Sequence, residues 1–299
     1  RVFNSRVHTT FNQLRGETGG TKPGRLSSVD PNMQQIPKRD KFIGKRFRKL
    51  FVADTDYELV ELDYSQMHPR LFTHYSQEPV LMEGYNATPY VDMHSIATKL
   101  MGVDVKYFES GKYTDYEEAF DAARSKCKNL NLGIMYTMGA PKLAIQLGIP
   151  LEEAREMVRA WYRIFKRVGG FTKDAAEVAE QRGYVRSILG RRSRFPDPRW
   201  AYRAANRIIL SGESDIVKWK MVELDRWIKL NGYEEYVQML LQIHDSFLFQ
   251  FRKDKLHLLE DVKAIMENVK GPPFNLKVPF VSEHKPPHEN WSISTYGPE

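Results

Sequence analysis

The sequence predicts an α+β protein in which an antiparallel sheet is interrupted by a long helical insertion. Three observations carry that reading. A strand-like run ends in the apolar-acidic stretch Glu58-Leu59-Val60-Glu61-Leu62-Asp63, helical periods fill the middle of the chain, and two β-rich runs flank His244-Asp245.

In chain order, residues 16–37 hold Gly, Ser, Pro and Asn with little apolar periodicity, which predicts an extended loop flanked by basic residues. Residues 51–63 read as a strand with Asp63 at its end. From 91 to 148 the spacing of apolar residues is helical, with one long helix over 117–139 and another over 151–165, the latter opened by Pro150 and by Glu152 and Glu153 in its first turn. Residues 190–196 form a basic loop, and 199–228 resume a helical pattern. The runs 239–243 and 246–251 predict a hairpin with His244-Asp245 at its tip. An amphipathic helix over 256–269 and a last strand over 276–281 complete the series.

Bulk properties narrow the function classes. With 299 residues, 41% hydrophobic and 28% charged, the chain has the composition of a protein with a packed core and not of a disordered one. The formal charge of +7 favours a polyanionic partner, because Lys and Arg displace counterions condensed on nucleic acid, but it does not decide the matter. Cys127 is the single cysteine, which excludes an intrachain disulfide framework and a multi-cysteine zinc site. No apolar run approaches the length of a membrane span and no signal-peptide pattern opens the chain, so an intracellular protein with no membrane partner is expected. The start at Arg1, without a methionine, predicts a fragment of something longer.

Asp63 and Asp245 stand at strand ends, where two carboxylates can project into one cleft. Hard divalent cations such as Mg²⁺ take oxygen ligands of this kind, and the backbone carbonyl of Tyr64 adds another. Read alone, either aspartate is at least as well explained as a turn residue. Arg124, Lys128, Leu132 and Tyr136 recur at intervals of four and so share one helical stripe running from cations to an apolar and an aromatic residue. That polarity matches a nucleoside triphosphate, with phosphates toward Arg124 and Lys128, and it equally matches a solvated basic patch with a buried end. Arg25, in Gly24-Arg25-Leu26-Ser27-Ser28, and the amides of Asn32 and Gln34 suit contacts to a nucleic-acid backbone, or an ordinary surface loop.

Three separated motifs occur in one order: Asp63-Tyr64-Ser65-Gln66, then Arg124-x3-Lys128-x4-Gly133-x2-Tyr136, then Leu240-Leu241-Gln242-Ile243-His244-Asp245. The ordered set resembles the family A DNA polymerases, from about Val7 to Trp291. The resemblance implies a right-hand architecture, with palm segments over 1–78 and 199–299 and helical fingers over 79–198. It implies Asp63 and Asp245 as ligands of two Mg²⁺ ions, with Mn²⁺ as a substitute, and Arg124 and Lys128 on the triphosphate, Lys128 also protonating pyrophosphate. His94 and Gln66 would lie near the nucleotide, and Tyr136 at the template base or nascent pair. Arg25, Asn32, Gln34, Arg70, Asn206 and His244 would contact primer and template. The implied partners are primer/template DNA and dNTPs.

Departures from the family pattern carry their own expectations. Met67-His68-Pro69-Arg70 stands where Ile-Glu-Leu-Arg is usual, so His68 replaces the glutamate that blocks a ribose 2′-hydroxyl and predicts relaxed sugar selection. Its imidazole is expected to bond to Tyr136. Leu132 replaces an aromatic residue, Leu210 a glutamine and Ser246 an acidic residue. Nothing resembles an exonuclease, and the thumb is expected before Arg1 or on another chain. The competing reading is a polymerase-like nucleic-acid-binding module that has lost catalysis. A cytoplasmic setting, in a bacterial or phage-infected cell or an organelle, fits either reading.

Overall fold

The computed structural model describes residues 2–298 apart from Arg15, Glu17, Thr18 and Arg39. By Cα proximity the chain divides into two compact units, one made of 1–67, 210–275 and 280–299 and the other of 68–209 and 276–279.

The first unit is built on a four-stranded antiparallel sheet in the order β10-β5-β9-β8, from β5 (Tyr57–Tyr64), β8 (Val237–Ile243), β9 (Ser246–Arg252) and β10 (Ser282–Glu283). Short strand pairs β1 (Val2–Phe3) with β2 (Arg6–Val7), and β3 (Thr10–Asn12) with β4 (Ser27–Val29), precede it. Side chains alternate across a strand, so the register of β5 on β9 sorts the residues by face. Val60, Leu62, Phe247, Phe249 and Phe251 are fully buried on one face, and each such side chain contributes roughly 1.5–3 kcal/mol. The other face carries Leu59 and Leu248, packed with Ile243 and Trp291, and beyond them Glu61 and Asp63. Helices α1 (Lys41–Arg48) and α12 (Trp291–Tyr296) lie against each other, and α12 also lies on β5. Helix α11 (Leu258–Glu267) is amphipathic as expected, within the predicted limits.

The second unit is mainly helical: α2 (Met67–Ser76), α3 (Pro79–Asn86), α4 (Met93–Leu100), α5 (Val103–Glu109), α6 (Tyr116–Met135), α7 (Ala140–Leu147), α8 (Leu151–Ile164), α9 (Lys166–Arg182) and the start of α10 (Ala204–Leu230). Helix α6 starts where Asp115 accepts the amides of Glu117 and Glu118. It ends in a Schellman turn, with Thr137 N–H on the Ile134 carbonyl, Met138 N–H on the Gly133 carbonyl, and Thr137 at φ +60°. Tyr136 therefore sits at the C-cap, past the last helical residue, where the sequence placed it inside a helix running to 139.

Three other expectations are corrected. The strand expected over 51–63 begins only at Tyr57, because the chain turns at Asp54–Tyr57 with Asp56 at φ +67°. No strand forms over 276–281: Asn275 takes φ +51°, Pro279 has no N–H to donate, and β10 follows at Ser282. The basic stretch 190–196 is not all loop, since β7 (Arg192–Arg194) pairs with β6 (Tyr184–Arg186). Among the described residues no helix is long and apolar enough to cross a membrane.

Candidate active site

In the sheet unit the register brings the two predicted aspartates together. Asp63 is the penultimate residue of β5 and lies opposite Ser246, while Asp245 occupies the two-residue turn between β8 and β9 and accepts the Tyr64 amide on its carbonyl at 3.2 Å. His244, the first turn residue, takes φ +57°, and Gln66, three residues after Asp63, takes φ +54°. Such conformations cost side-chain-bearing residues about 1 kcal/mol or more, so the backbone flanking the acidic pair is held by its surroundings. Gln34 is one such support. Its amide donates to the side-chain oxygen of Gln242 at 3.0 Å and to the Gln242 carbonyl at 3.2 Å, and Gln242 in turn donates to the His244 carbonyl.

Asp63 is 42% exposed at its side chain, yet its pKa is pushed up to about 6, first by desolvation and next by the charge of Asp245. Two carboxylates that raise each other's cost of ionisation are relieved by a cation. Here that cation is the Lys38 ammonium, 3.4 Å from Asp63 Oδ2 and 3.0 Å from Glu61 Oε1. Glu61, two residues before Asp63 on the same strand face, is 4% exposed. It is fixed by Arg48 at 2.9 Å, Trp291 Nε1 at 2.8 Å and Thr295 Oγ1 at 2.7 Å. Tyr64 points its side chain the other way, donating to the Met266 carbonyl, so only its backbone oxygen is available to a metal. Among the described residues no group of three or more His, Cys, Asp or Glu is placed to hold a metal ion by itself. A pair of carboxylates with a carbonyl, completed by phosphate and water, is a hard-oxygen set that suits Mg²⁺ or Mn²⁺ and not a softer metal.

The rest of the primer/template set in this unit is tied into the fold. Arg25 pairs with buried Glu213 of α10, and Asn32 caps the 3₁₀ turn that carries Gln34. His244 is exposed, and desolvation and Arg25 lower its pKa.

In the helical unit, Arg124 and Lys128 lie on α6. The Arg124 guanidinium is held by Asp92 at 2.9 Å and by Ser95 Oγ at 3.0 Å, while Lys128 is exposed. Asp92 also caps α4, accepting the amides of His94 and Ser95. The protonation of His94 follows from its neighbours. Trp161 Nε1 can only donate, so the Asn131 oxygen must face it at 2.7 Å; the Asn131 nitrogen then faces His94 Nδ1 at 3.0 Å, which must accept. The His94 proton is thereby placed on Nε2, and burial pushes the pKa down to about 4, which keeps the ring neutral. Leu132 is half-buried, and the hydroxyl of Tyr136 meets His68 Nδ1, the bond expected from the sequence. Asn206 Oδ1 is enclosed and accepts no hydrogen bond from the described residues.

Arg70, expected at the primer/template, is fully buried, donating to the Pro279 carbonyl at 2.7 Å with its guanidinium 4.6 Å from the ring centres of both Tyr85 and Tyr90. Sequence reasoning also missed Lys38, Glu61, Asp92 and Asn131. The available signal for Glu61 was an acidic residue in an apolar strand, two positions from Asp63 and so on its face.

A family model described as DNA polymerase family A matches residues 2–292. The chain belongs to DNA polymerase family A. DNA polymerase DpoZ of Acinetobacter phage SH-Ab 15497 is 30% identical over 97% of this chain and 47% of its own length. DNA polymerase I of Synechocystis sp. is 32% identical over 93% of this chain and 28% of its own length. A solved structure of the POL domain of Pol1 from M. smegmatis, in complex with DNA primer-template and dNTP, matches with a TM-score of 0.82 and 31% identity, over 99% of this chain and 50% of that one. The chain thus spans about half or less of the length of these family A relatives. The α+β architecture with an antiparallel sheet and a helical insertion is the one observed.

Proposed function

We propose that this chain carries the nucleotidyl-transfer site of a template-directed DNA polymerase, joining a dNTP to a primer 3′-hydroxyl with release of pyrophosphate. The observation that carries the reading is the juxtaposition of Asp63 and Asp245 at the ends of paired strands, with Asp63 pushed up to about 6 by burial and by its neighbour. Membership of family A and the likeness to a domain solved with primer-template and dNTP support it.

Asp63, Asp245 and the Tyr64 carbonyl would hold the divalent ions, Mg²⁺ or Mn²⁺. Bound there, such ions lower the pKa of an attacking hydroxyl and neutralise charge on the leaving oxygen. The sheet unit is assigned the palm role and the helical unit the fingers role. In the latter, Arg124 and Lys128 are assigned to the nucleotide phosphates, and neutral His94 donates through Nε2–H. Lys128, exposed and cationic, is assigned the proton delivered to pyrophosphate. Tyr136 and Leu132 are assigned to base and sugar, with Gln66 beside the nucleotide. His68, bonded to Tyr136 where a carboxylate is usual in the family, would relax the exclusion of ribose. Asn32, Arg25, Asn206 and His244 are assigned to primer and template. A thumb and any exonuclease would come from another segment or chain, and the bacterial and phage origin of the relatives supports a cytoplasmic setting.

Primer extension with Mg²⁺, comparing the wild-type chain with Asp245→Ala, tests the reading. Template-dependent extension by the wild type, falling by at least about 10³-fold in the variant, is expected. If the wild type extends no primer while still binding primer/template, the chain is a binding module and the assignment is wrong.

A further inference from the structure

We propose that Lys38 is the resident counter-cation of the acidic pair: held by Glu61, it neutralises Asp63 until a divalent ion arrives and then competes with that ion, so it sets how tightly the metal is bound. The inference rests on the metal-site reading above and goes beyond it by giving the site a built-in competitor.

The geometry supplies both positions that such a competitor needs. The Lys38 ammonium lies 3.0 Å from Glu61 Oε1 and 3.4 Å from Asp63 Oδ2, so one cation bridges two carboxylates on the same strand face. The two partners are unequal. Glu61 is immobilised by Arg48, Trp291 and Thr295, and its own backbone N–H donates to Ser294 Oγ. Asp63 is 42% exposed, and Lys38 is 48% exposed. When Asp63 turns to a metal, Lys38 keeps its shorter bond to Glu61 and gives up only the longer one. The ammonium stays anchored within a few ångströms of the incoming ion and repels it, and it also masks the carboxylate that the ion must take. A unit charge facing a divalent ion at about 5 Å in a water-like dielectric alters binding on the order of tenfold.

Lys38 sits on the segment before α1 and follows Pro37, whose carbonyl accepts Arg48 Nε at 3.3 Å. Its approach is therefore set by the same buried ion cluster that fixes Glu61, and not by a free loop. Because the lysine is half exposed and Glu61 retains Arg48, removing the ammonium should leave folding nearly intact.

The test is Mn²⁺ binding to the full chain in the absence of nucleotide, by calorimetry and by the electron paramagnetic resonance signal of free Mn²⁺. The variants are Lys38→Met, Lys38→Arg and Asp63→Asn. Lys38→Met should bind Mn²⁺ roughly tenfold tighter than the wild type, with the gain shrinking as ionic strength rises, and Lys38→Arg should bind like the wild type. Unchanged or weaker binding in Lys38→Met, with binding lost in Asp63→Asn, overturns the role of Lys38 and leaves the metal site standing. Mn²⁺ affinity that survives Asp63→Asn overturns the metal-site reading itself.

Discussion

Glu61 offers the sharpest test of how the site is supported. Its Oε2 receives hydrogen bonds from Arg48 at 2.9 Å, Trp291 at 2.8 Å and Thr295 at 2.7 Å, and Arg48 is 2% exposed with its guanidinium 4.1 Å over the Trp291 ring. Glu61→Gln keeps the shape and an acceptor oxygen but removes the charge that balances a buried guanidinium. Breaking a buried ion pair from one side costs about 3–5 kcal/mol, because the surviving charge is left in a poor solvent. The half-exposed Lys38 adds less than about 1 kcal/mol. Since the amide retains some of the hydrogen bonds, the lower end applies, about 3 kcal/mol, or a fall in melting temperature of roughly 6–12 °C for a unit of this size. Urea denaturation followed by circular dichroism and by Trp fluorescence measures it. A cycle with Arg48→Met isolates the pair: the double variant should be less destabilised than the sum of the singles by at least about 1 kcal/mol. Glu61→Gln within about 0.5 kcal/mol of the wild type, or strict additivity in the cycle, would refute the view that Glu61 is a charged anchor.

Two further predictions concern the helical unit. Burial pushes His74 and His94 down to about 4, so the unfolded chain takes up their protons first as pH falls; stability is full above pH 6.5, declines toward pH 4 by about 3 kcal/mol for buried His94 and by less for the partly exposed His74, and is flat below. Urea midpoints measured across that range should show the slope, and His74→Gln should remove part of it. For sugar choice, single-nucleotide incorporation with deoxy- and ribonucleotides should show weak exclusion of ribose in the wild type and a deoxy preference about tenfold greater in His68→Glu, the worth of roughly one hydrogen bond; a strong deoxy preference in the wild type rules the idea out.

Much of the framework was legible because local pattern and tertiary role agree. The alternation in 239–251 places phenylalanines on one face and leaves His244-Asp245 at the turn, and the register then carries Asp245 to the end of β5. Helix α6 announced itself by its period, and α8 by its period and the acidic residues of its first turn. What stayed hidden depends on long-range partners. Helix α9 contains Gly169 and Gly170, which weaken a local helical signal, and it is secured by burial of small residues such as Ala175 and Ala179. Arg70 is buried because two tyrosines and the carbonyl of Pro279, 209 residues away, enclose it, which no local pattern shows. Lys38 could not be linked to Asp63 without knowing that the segment before α1 folds across β5.

The convergence on Glu61 has a consequence for how the chain acquires its shape. Residues 38, 48, 291 and 295 must all reach one glutamate, so loops of more than 200 residues close before the strand is secured. The entropy of such closures favours early order in the nearly continuous stretch 68–209. β5 gains these Glu61 anchors only once α12 is in place, so the acidic centre depends on more distant contacts than the helices of 68–209 do.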